Sequence, residues 1–434
     1  MNPTIVDLKG VGKSFSSADG APRTVLDNVD FTLREREIVA LLGQSGSGKS
    51  TLLRIMAGLV MADRGDVRYR GQPLYGPARG ISMVFQSFAL FPWLTVQQNV
   101  EIGLEAQGVP AAEREARAQK VIDLIGLSGF EGALPRELSG GMRQRVGIAR
   151  ALVVNPDVLL MDEAFSALDV LTGERLRDDI LELWEKEEIS TKAILVVSHN
   201  IQEAVMMADR VLIFASDPGR VRYEMRVDLP RPRDADSEEV RTLVDEIYAV
   251  MTAGRVRAGK VADELEPMRL DARLPDADIG LVEGLLEKLM DDPFLGRADL
   301  PQLGEETELT DEDLLPAAEA LALLEFALLE SGDLSVTELG RAYVAAQHDQ
   351  RQVLFAQQLL KRVPLAAHIR HSLQQDPVGE IKEEHFLDLL RETMDSEEAE
   401  RVLKVAIEWG RHGEVYSYNY NTGMIQLPES EAGH

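Results

Sequence analysis

The sequence predicts an α/β domain with a mostly parallel sheet, followed by a separate, mainly α-helical, winged-helix-like domain. Three observations carry this. Short β-branched runs alternate with helical stretches up to about residue 215. From Leu281 onward the apolar periodicity is almost purely helical. The charge is also uneven. Residues 1–260 carry 32 basic and 37 acidic side chains, a net of −5, and the rest carry 14 and 37, a net of −23, within a total of −28. At 434 residues the chain is too long for one ordinary core.

Ile5 to Phe15 and Val25 to Leu33 read as antiparallel strands. Ile38-Val-Ala-Leu-Leu42, Val158-Leu-Leu-Met161 and Ala193-Ile-Leu-Val-Val197 read as buried strands, bounded by Gly, Asn-Pro or Ser-His. Val211 to Val227 predicts two or three more, closed by Leu229-Pro-Arg-Pro-Arg233, and a charged helix spans about Ser237 to Met251. The first domain is placed at 1–252, a polar linker at 253–276 and the second domain at 277–428. In the second domain Val282, Leu285, Leu286 and Leu289 share a helix face, as do Leu314, Ala318, Leu321 and Leu324. Asp395 and Glu398 are read as caps of a helix whose face is Ala399, Val402, Leu403, Ala406 and Ile407. Val415 to Leu427 alternates around a turn at Asn421-Thr-Gly423, a hairpin or wing. Two winged-helix-like units are expected.

Composition excludes several functions. There are no cysteines, hence no disulfides, thiolate metal sites or cysteine nucleophiles. The longest apolar stretches are far shorter than a membrane span, and Met1 to Gly10 has no apolar signal core. The chain reads as mature and cytosolic, so any membrane span must come from other chains. A net of −23 repels a phosphate backbone and anionic lipid, which opposes nucleic-acid binding by the second domain.

Gly43-Gln44-Ser45-Gly46-Ser47-Gly48-Lys49-Ser50-Thr51 fits G-x-x-x-x-G-K-[ST], between a buried strand and a helix. Glycines let backbone N–H groups turn inward on an anion, and the helix N-terminus presents unpaired N–H groups to it. Lys49 supplies a point charge to the β- and γ-phosphates, and Ser50 offers its hydroxyl to Mg²⁺. Val158 to Met161 runs into Asp162 and Glu163. Asp162 at the strand end suits Mg²⁺, and Glu163 suits a general base polarising water. Val196-Val-Ser-His-Asn200 ends the next strand the same way. His199, the only histidine in the first 340 residues, is read as a γ-phosphate contact at the edge where open α/β sheets bind ligands.

Leu138-Ser-Gly-Gly-Met-Arg-Gln-Arg-Val-Gly-Ile-Ala-Arg-Ala-Leu152 resembles the ABC signature, with Gly141 lying 21 residues before Asp162. Over about residues 1–230 the chain resembles the ATP-binding subunits of ABC transporters. The resemblance implies a P-loop ABC ATPase fold with an antiparallel β subdomain and a helical signature subdomain. It implies hydrolysis of ATP to ADP and phosphate, with Mg²⁺. In this family two domains close head to tail, each ATP lying between one phosphate loop and the other subunit's Ser139, Gly140 and Gly141. Met142 stands where many members have Gln. Gln86 resembles the glutamine that touches Mg²⁺ and senses the membrane subunit, and Ser166-Ala-Leu-Asp169 the loop that crosses the dimer interface. Phe15 stands where an aromatic stacks on adenine; the alternative is a core Phe near a strand end.

Phe91-Pro-Trp-Leu-Thr-Val-Gln-Gln-Asn-Val100 lies where the family receives the permease's coupling helix, with Pro92 and Trp93 as an apolar notch. With Ser216-Asp-Pro-Gly-Arg-Val221 and Leu229-Pro-Arg-Pro-Arg233 it resembles the importers for nitrate, sulfonate, taurine and bicarbonate. The implied partners are a second copy, two permease subunits and indirectly a solute-binding protein, at the cytoplasmic face of the membrane. Through Thr310-Asp-Glu-Asp-Leu-Leu-Pro316, Glu330-Ser-Gly-Asp-Leu-Ser-Val-Thr-Glu-Leu-Gly340 and Ala406-Ile-Glu-Trp-Gly410, residues 277–428 resemble the AAA-associated C-terminal domain of some such motors, expected to regulate or stabilise the dimer. Its Tyr416, Tyr418 and Tyr420 fall on one face, open to base stacking or half-buried in a sheet; the acidic charge favours the sheet. His368 and His371 share a helix face, as metal ligands or surface histidines. The competing functions are a soluble ABC ATPase acting on nucleic acid and a regulatory ATP sensor.

Overall fold

The computed structural model describes residues 2–16, 22–43, 46–166, 168–215, 218–252, 273–330, 332–392, 394 and 396–428. The chain divides into two compact units, Met1–Phe15 with Thr24–Val244, and Ser16–Arg23 with Asp245–His434.

In chain order the first unit contains β1 (Thr4–Ser16), β2 (Pro22–Arg34), β3 (Glu37–Leu42), α1 (Lys49–Met56), β4 (Arg64–Tyr69), β5 (Gln72–Pro73), β6 (Ile81–Val84), α2 (Val96–Ala106), α3 (Ala111–Leu124), α4 (Gly140–Leu152), β7 (Val158–Asp162), α5 (Val170–Glu185), β8 (Ala193–Val197), α6 (Ile201–Met207), β9 (Arg210–Ala215) and β10 (Arg220–Arg226). A six-stranded sheet runs β10-β9-β3-β8-β7-β6; β10 is antiparallel and the other five are parallel. The expected strands at 38–42, 158–161 and 193–197 are β3, β7 and β8. Each is buried on both faces, which is why they read as unbroken apolar runs. Val211 to Val227 resolves into two strands, β9 and β10.

A second, antiparallel sheet, β2-β1-β4-β5, shares a core with α1 and one face of the parallel sheet through Ile5, Leu8, Phe31, Leu53 and Leu160. Tyr69 at the end of β4 donates its hydroxyl to Asp157, just before β7. Burial, then that carboxylate, push the phenol up to about 12. Helices α2, α3 and α4 close around their own core of Val96, Val100, Ala118, Ile122, Val146 and Ala149. This is the helical signature subdomain that the resemblance implied.

Helix α7 (Glu238–Thr252) contains the boundary between the units, between Val244 and Asp245. Of the expected linker, residues 253–272 lie outside the described residues. The second unit continues with α8 (Ile279–Met290), β11 (Arg297–Asp299), α9 (Leu300–Thr307), α10 (Asp311–Leu323), β12 (Ala327–Glu330), β13 (Asp333–Val336), α11 (Glu338–Ala345), α12 (His348–Arg362), α13 (Pro364–Gln375), β14 (Glu380–Lys382), α14 (Glu383–Arg391), α15 (Ser396–His412), β15 (Ser417–Asn419) and β16 (Met424–Gln426). The order helix–strand–helix–helix–strand–strand occurs twice, from α8 to β13 and from α13 to β16. Both small sheets have the same strand order, β11-β13-β12 and β14-β16-β15. These are the two winged-helix-like units. Ala399, Val402, Leu403, Ala406 and Ile407 are all buried on α15. Glu398 lies in the first turn of α15, the position a capping acid takes, and also pairs with Arg401 and Arg273. Asp395 lies outside the described residues.

Candidate functional site

Strand register brings the expected residues to one edge. Leu41 of β3 and Asp162 of β7 both lie opposite Val197 of β8, and Val84 of β6 lies opposite Met161. The loops after these strands therefore leave the sheet at one level. They carry the phosphate loop, Glu163, His199 and Gln86, at the carboxyl ends of parallel strands where such sheets bind ligands.

The phosphate loop turns on glycine. Gly46 and Gly48 have φ of 76° and 94°, and a Cβ at Gly48 would lie 2.9 Å from Leu26 Cδ2. Gly48 precedes α1, whose N-terminus has no side-chain cap and no acid in its first turn. Its N–H groups and positive dipole end remain available to an anion. Lys49 is 4% exposed and donates from Nζ to Gly43 O at 2.6 Å. The Ser47 hydroxyl is buried with no hydrogen-bond partner among the described residues. Thr51 follows in the first turn of α1. Gln44 and Ser45 lie outside the described residues.

Ser50 Oγ donates to Asp162 Oδ1 at 2.9 Å, so the hydroxyl and the carboxylate assigned to Mg²⁺ meet. Burial pushes the Asp162 carboxyl up, opposed by the Ser50 hydroxyl and by Arg54 and Lys49. Two hard oxygens of one site, one on a carboxylate whose ionised form is penalised by burial, fit a divalent cation.

Glu163 carries a left-handed backbone (φ 47°), and its N–H donates to Val197 O at 3.1 Å. Its carboxylate accepts from Gln86 Nε2 at 2.7 Å. A carboxylate oxygen of Glu163 and a ring nitrogen of His199 lie within 4.8 Å. The Ser166 hydroxyl donates to Glu163 O at 2.9 Å. Gln86, Glu163 and His199, drawn from three separate loops, thus converge.

Gly141 lies against Thr172, in the first turn of α5 that Asp169 caps. Ser139 caps α4 by accepting from Met142 N at 3.3 Å, and Asp169 caps α5 by accepting from Thr172 N at 3.1 Å. A Cβ on Gly141 would lie 2.5 Å from Thr172 Cγ2, while Gly140 faces open space. Met142 contributes its N–H to the cap, so that contact needs no Gln side chain. Phe15 is 43% exposed, with Lys13 Nζ 5.2 Å from its ring centroid. It is a surface aromatic rather than a core Phe.

Several residues around the site were not found from sequence. Phe88 and Ala89, just past Gln86, are consecutive non-glycine residues with φ of 60° and 48°. Such a conformation costs about 1–2 kcal/mol per residue. Arg150 of α4 donates to both carbonyls, at 3.0 Å and 2.6 Å. Fully buried Asn99 holds the next stretch, accepting from Phe91 N and donating to Phe91 O, Leu94 O and Thr95 O. In the same stretch Trp93, which the sequence did single out, is 71% exposed, 5.7 Å from the Phe91 ring. Glu203, one helical turn past His199, is pushed up by burial, opposed by Ser198, His199 and Arg177.

The Leu229-Pro-Arg-Pro-Arg233 stretch acquires a physical role. Arg231 donates to Met207 O at 2.6 Å and to Asp209, and Arg233 donates to Val205 O and to Ala208 O at 2.6 Å. Two guanidiniums thus cap the C-terminus of α6, the helix that starts just after His199. Burial, then Arg231, bring Arg233 down to about 10. Ser216 and Asp217 of the neighbouring stretch lie outside the described residues, as does Ala167.

In the second unit Tyr416 is buried and donates to Ala406 O, and Tyr418 donates to Glu383 at 2.6 Å. Tyr420 is exposed beneath Arg411. The three do not form an open stacking face. His371 Nε2 lies 2.8 Å from Gln375 Nε2, and the edge of His368 meets Phe386. Among the described residues no acid gathers with these two histidines.

An ABC transporter family model matches residues 26–166, and a C-terminal AAA-associated domain model matches residues 301–419. The chain is similar to the nitrate import ATP-binding protein NrtD of Synechocystis sp., 46% identical over 205 residues, covering 47% of this chain and 76% of that one. It is similar to the taurine import ATP-binding protein TauB of Pseudomonas syringae pv. tomato, 38% identical over 265 residues, covering 61% and 99%. An uncharacterized ABC transporter ATP-binding protein of Methanocaldococcus jannaschii is 45% identical over 214 residues, covering 49% and 79%. A solved dimeric ATP-binding cassette in a post-hydrolysis state with ADP and Pi is 33% identical, covering 52% of this chain and 100% of that one, with a TM-score of 0.47.

Proposed function

This chain belongs to the ABC transporter ATP-binding family, and on that premise we propose that it is the ATP-hydrolysing subunit of an importer. As a family member it binds ATP and hydrolyses it to ADP and phosphate. The observation that carries the assignment of roles is the convergence of Gln86, His199 and Glu163 one residue past Asp162, which itself holds Ser50 of the phosphate loop.

In this reading Lys49 and the open N-terminus of α1 bind the β- and γ-phosphates, and the ring of Phe15 takes the adenine. Ser50, Asp162 and Gln86 would hold Mg²⁺, which when bound neutralises charge on the phosphate oxygens. Glu163 accepts a proton from the attacking water as it adds to the γ-phosphorus, and the leaving oxygen departs on ADP. His199 holds the γ-phosphate in line. Gln86, donating to Glu163, sets the orientation of its carboxylate.

A second copy completes the site. Its Ser139, Gly140 and Gly141 bind the γ-phosphate at the N-terminus of α4, with Asp169 at the seam. Residues 1–252 form the nucleotide-binding domain, and 277–428 a regulatory or dimer-stabilising domain. Among the described residues no helix is long and apolar enough to cross a membrane. Two permease subunits supply the span and dock at the exposed Phe91–Trp93 pair, at the cytoplasmic face. A solute-binding protein delivers cargo to those permeases. The cargo class is a small anion or sulfonate, supported by the nitrate and taurine relatives.

Glu163→Gln tests the reaction. Turnover is expected to fall about 10²–10⁴-fold, while ATP binding persists and the protein elutes as a dimer with ATP and Mg²⁺. Undiminished turnover would remove Glu163 from the base role. Co-purification of companion chains from membranes tests the importer assignment.

A further inference from the structure

We infer that Arg150 is a positioning residue for Gln86, acting through the backbone of Phe88 and Ala89. The inference rests on the reading of Gln86 and Glu163 given above. Gln86 lies inside a turn closed by Phe88 N donating to Phe85 O at 3.2 Å, and Ala89 N donates to Ser87 O at 2.6 Å. The carbonyls of these same two residues are the acceptors for Arg150. Left alone, two adjacent non-glycine residues at positive φ relax toward ordinary backbone, and the turn carrying Gln86 opens with them.

Helix α4 opposes that relaxation with three residues on one face. Arg143 lies with Cζ 5.6 Å from the Phe88 ring centroid. Gly147 approaches closely, its Cβ position 3.5 Å from Phe88 O. Arg150 supplies two charge-assisted hydrogen bonds, which are stronger than neutral ones. Burial lowers the Arg150 pKa with no acid opposing it. Among the described residues no carboxylate forms an ion pair with Arg150, so its charge is directed at the two carbonyls. The helix that Ser139 caps and the carboxamide that touches Glu163 are therefore mechanically joined. A displacement of α4 reaches the catalytic carboxylate through two backbone carbonyls.

The test uses the purified full-length chain, with steady-state ATPase assays, ATP binding by calorimetry and thermal melts. Arg150→Met removes both donors and keeps the aliphatic stem. Turnover at saturating ATP is expected to fall about tenfold, with ATP affinity within about twofold and the melting temperature nearly unchanged. Adding Phe88→Gly and Ala89→Gly makes the positive φ inexpensive, and is expected to recover at least about a third of the lost turnover. Arg150→Lys, which reaches one carbonyl, is expected to fall between and serves if the Met variant does not fold. Unchanged turnover overturns the inference. So does a joint loss of turnover, affinity and melting temperature that the glycines leave untouched, which is the pattern of a merely structural arginine. Glu163→Gln is assayed in parallel. If it keeps full turnover the base assignment fails, and that outcome is separate from whether the glycines rescue the Arg150 variant.

Discussion

In the first unit, polar side chains gather at strand ends and hold one another in positions that ordinary backbone does not favour. Lys49 is buried against a carbonyl, Asp162 is buried beside Ser50, and Glu163, Phe88 and Ala89 all have positive φ. In the second unit, buried polar tips are spent on closing the fold. Tyr248 donates to Asp311, Tyr343 to Glu283 and Tyr416 to Ala406 O, and Trp409 Nε1 donates to Ala277 O. Burial raises the pKa of all three phenols, and the adjacent carboxylates raise those of Tyr248 and Tyr343 further, so the proton stays on the tyrosine. Positive φ also occurs at Leu295, Glu308, Glu325 and Glu414 of the second unit, so strain alone marks no site; the first unit joins it to a buried lysine and carboxylate at the strand ends. Satisfied tyrosines mark a place built for shape. The contrast fits a motor unit and a regulatory unit in one chain.

The sharpest way to break the contrast is to damage the shape-building unit. Trp409 is fully buried, and Trp409→Ala is expected to cost about 3–5 kcal/mol in the second unit's unfolding transition, measured by denaturant melts. ATP binding by calorimetry is expected to survive, because no phosphate-site residue lies in that unit. Loss of binding would show that the division of labour is wrong. The converse damage is Lys49→Ala, expected to reduce turnover about 10²–10³-fold while leaving the second unit's transition in place.

The smallest expected effect concerns Asp299, the residue just before α9. Burial, then Asp245, raise it from 3.8 to about 6; the Gln302 N–H opposes this, and Asp333 and Glu305 add to it. A carboxyl whose folded pKa is raised favours folding when protonated. Its contribution is therefore fully present below about 4 and lost as pH rises through about 6. Asp299→Asn is expected to raise the melting temperature at pH 7.5 by about 2–4 °C and to give no gain at pH 4. An equal shift at both pH values would place the effect in packing.

Much of the site was legible because its chemistry needs particular residues at fixed spacing. The phosphate loop, Asp162-Glu163 and Ser198-His199 each end an apolar strand, and parallel register then aligns them. For Phe15 the sequence offers an adenine-stacking ring or a core Phe, and its exposure opposes the core reading. Arg150 was read only as part of the signature helix, since a lone arginine donating to carbonyls 61 and 62 residues earlier leaves no local pattern. Positive φ at Phe88 and Ala89 was invisible because neither is glycine or asparagine. The ion pair of Glu398 with Arg273 was not legible, because the two residues lie far apart in the chain and meet only in the fold. The twofold repeat of the winged-helix order has no fixed sequence period, since the two copies share topology and not residues.

The arginine pair of Leu229-Pro-Arg-Pro-Arg233 reaches further than its own stretch. A helix of seven residues ordinarily frays at its tail, and a pull on a frayed tail dissipates before the other end feels it. With its terminal carbonyls gripped by two cations, α6 behaves as a short stiff lever whose opposite tip adjoins His199.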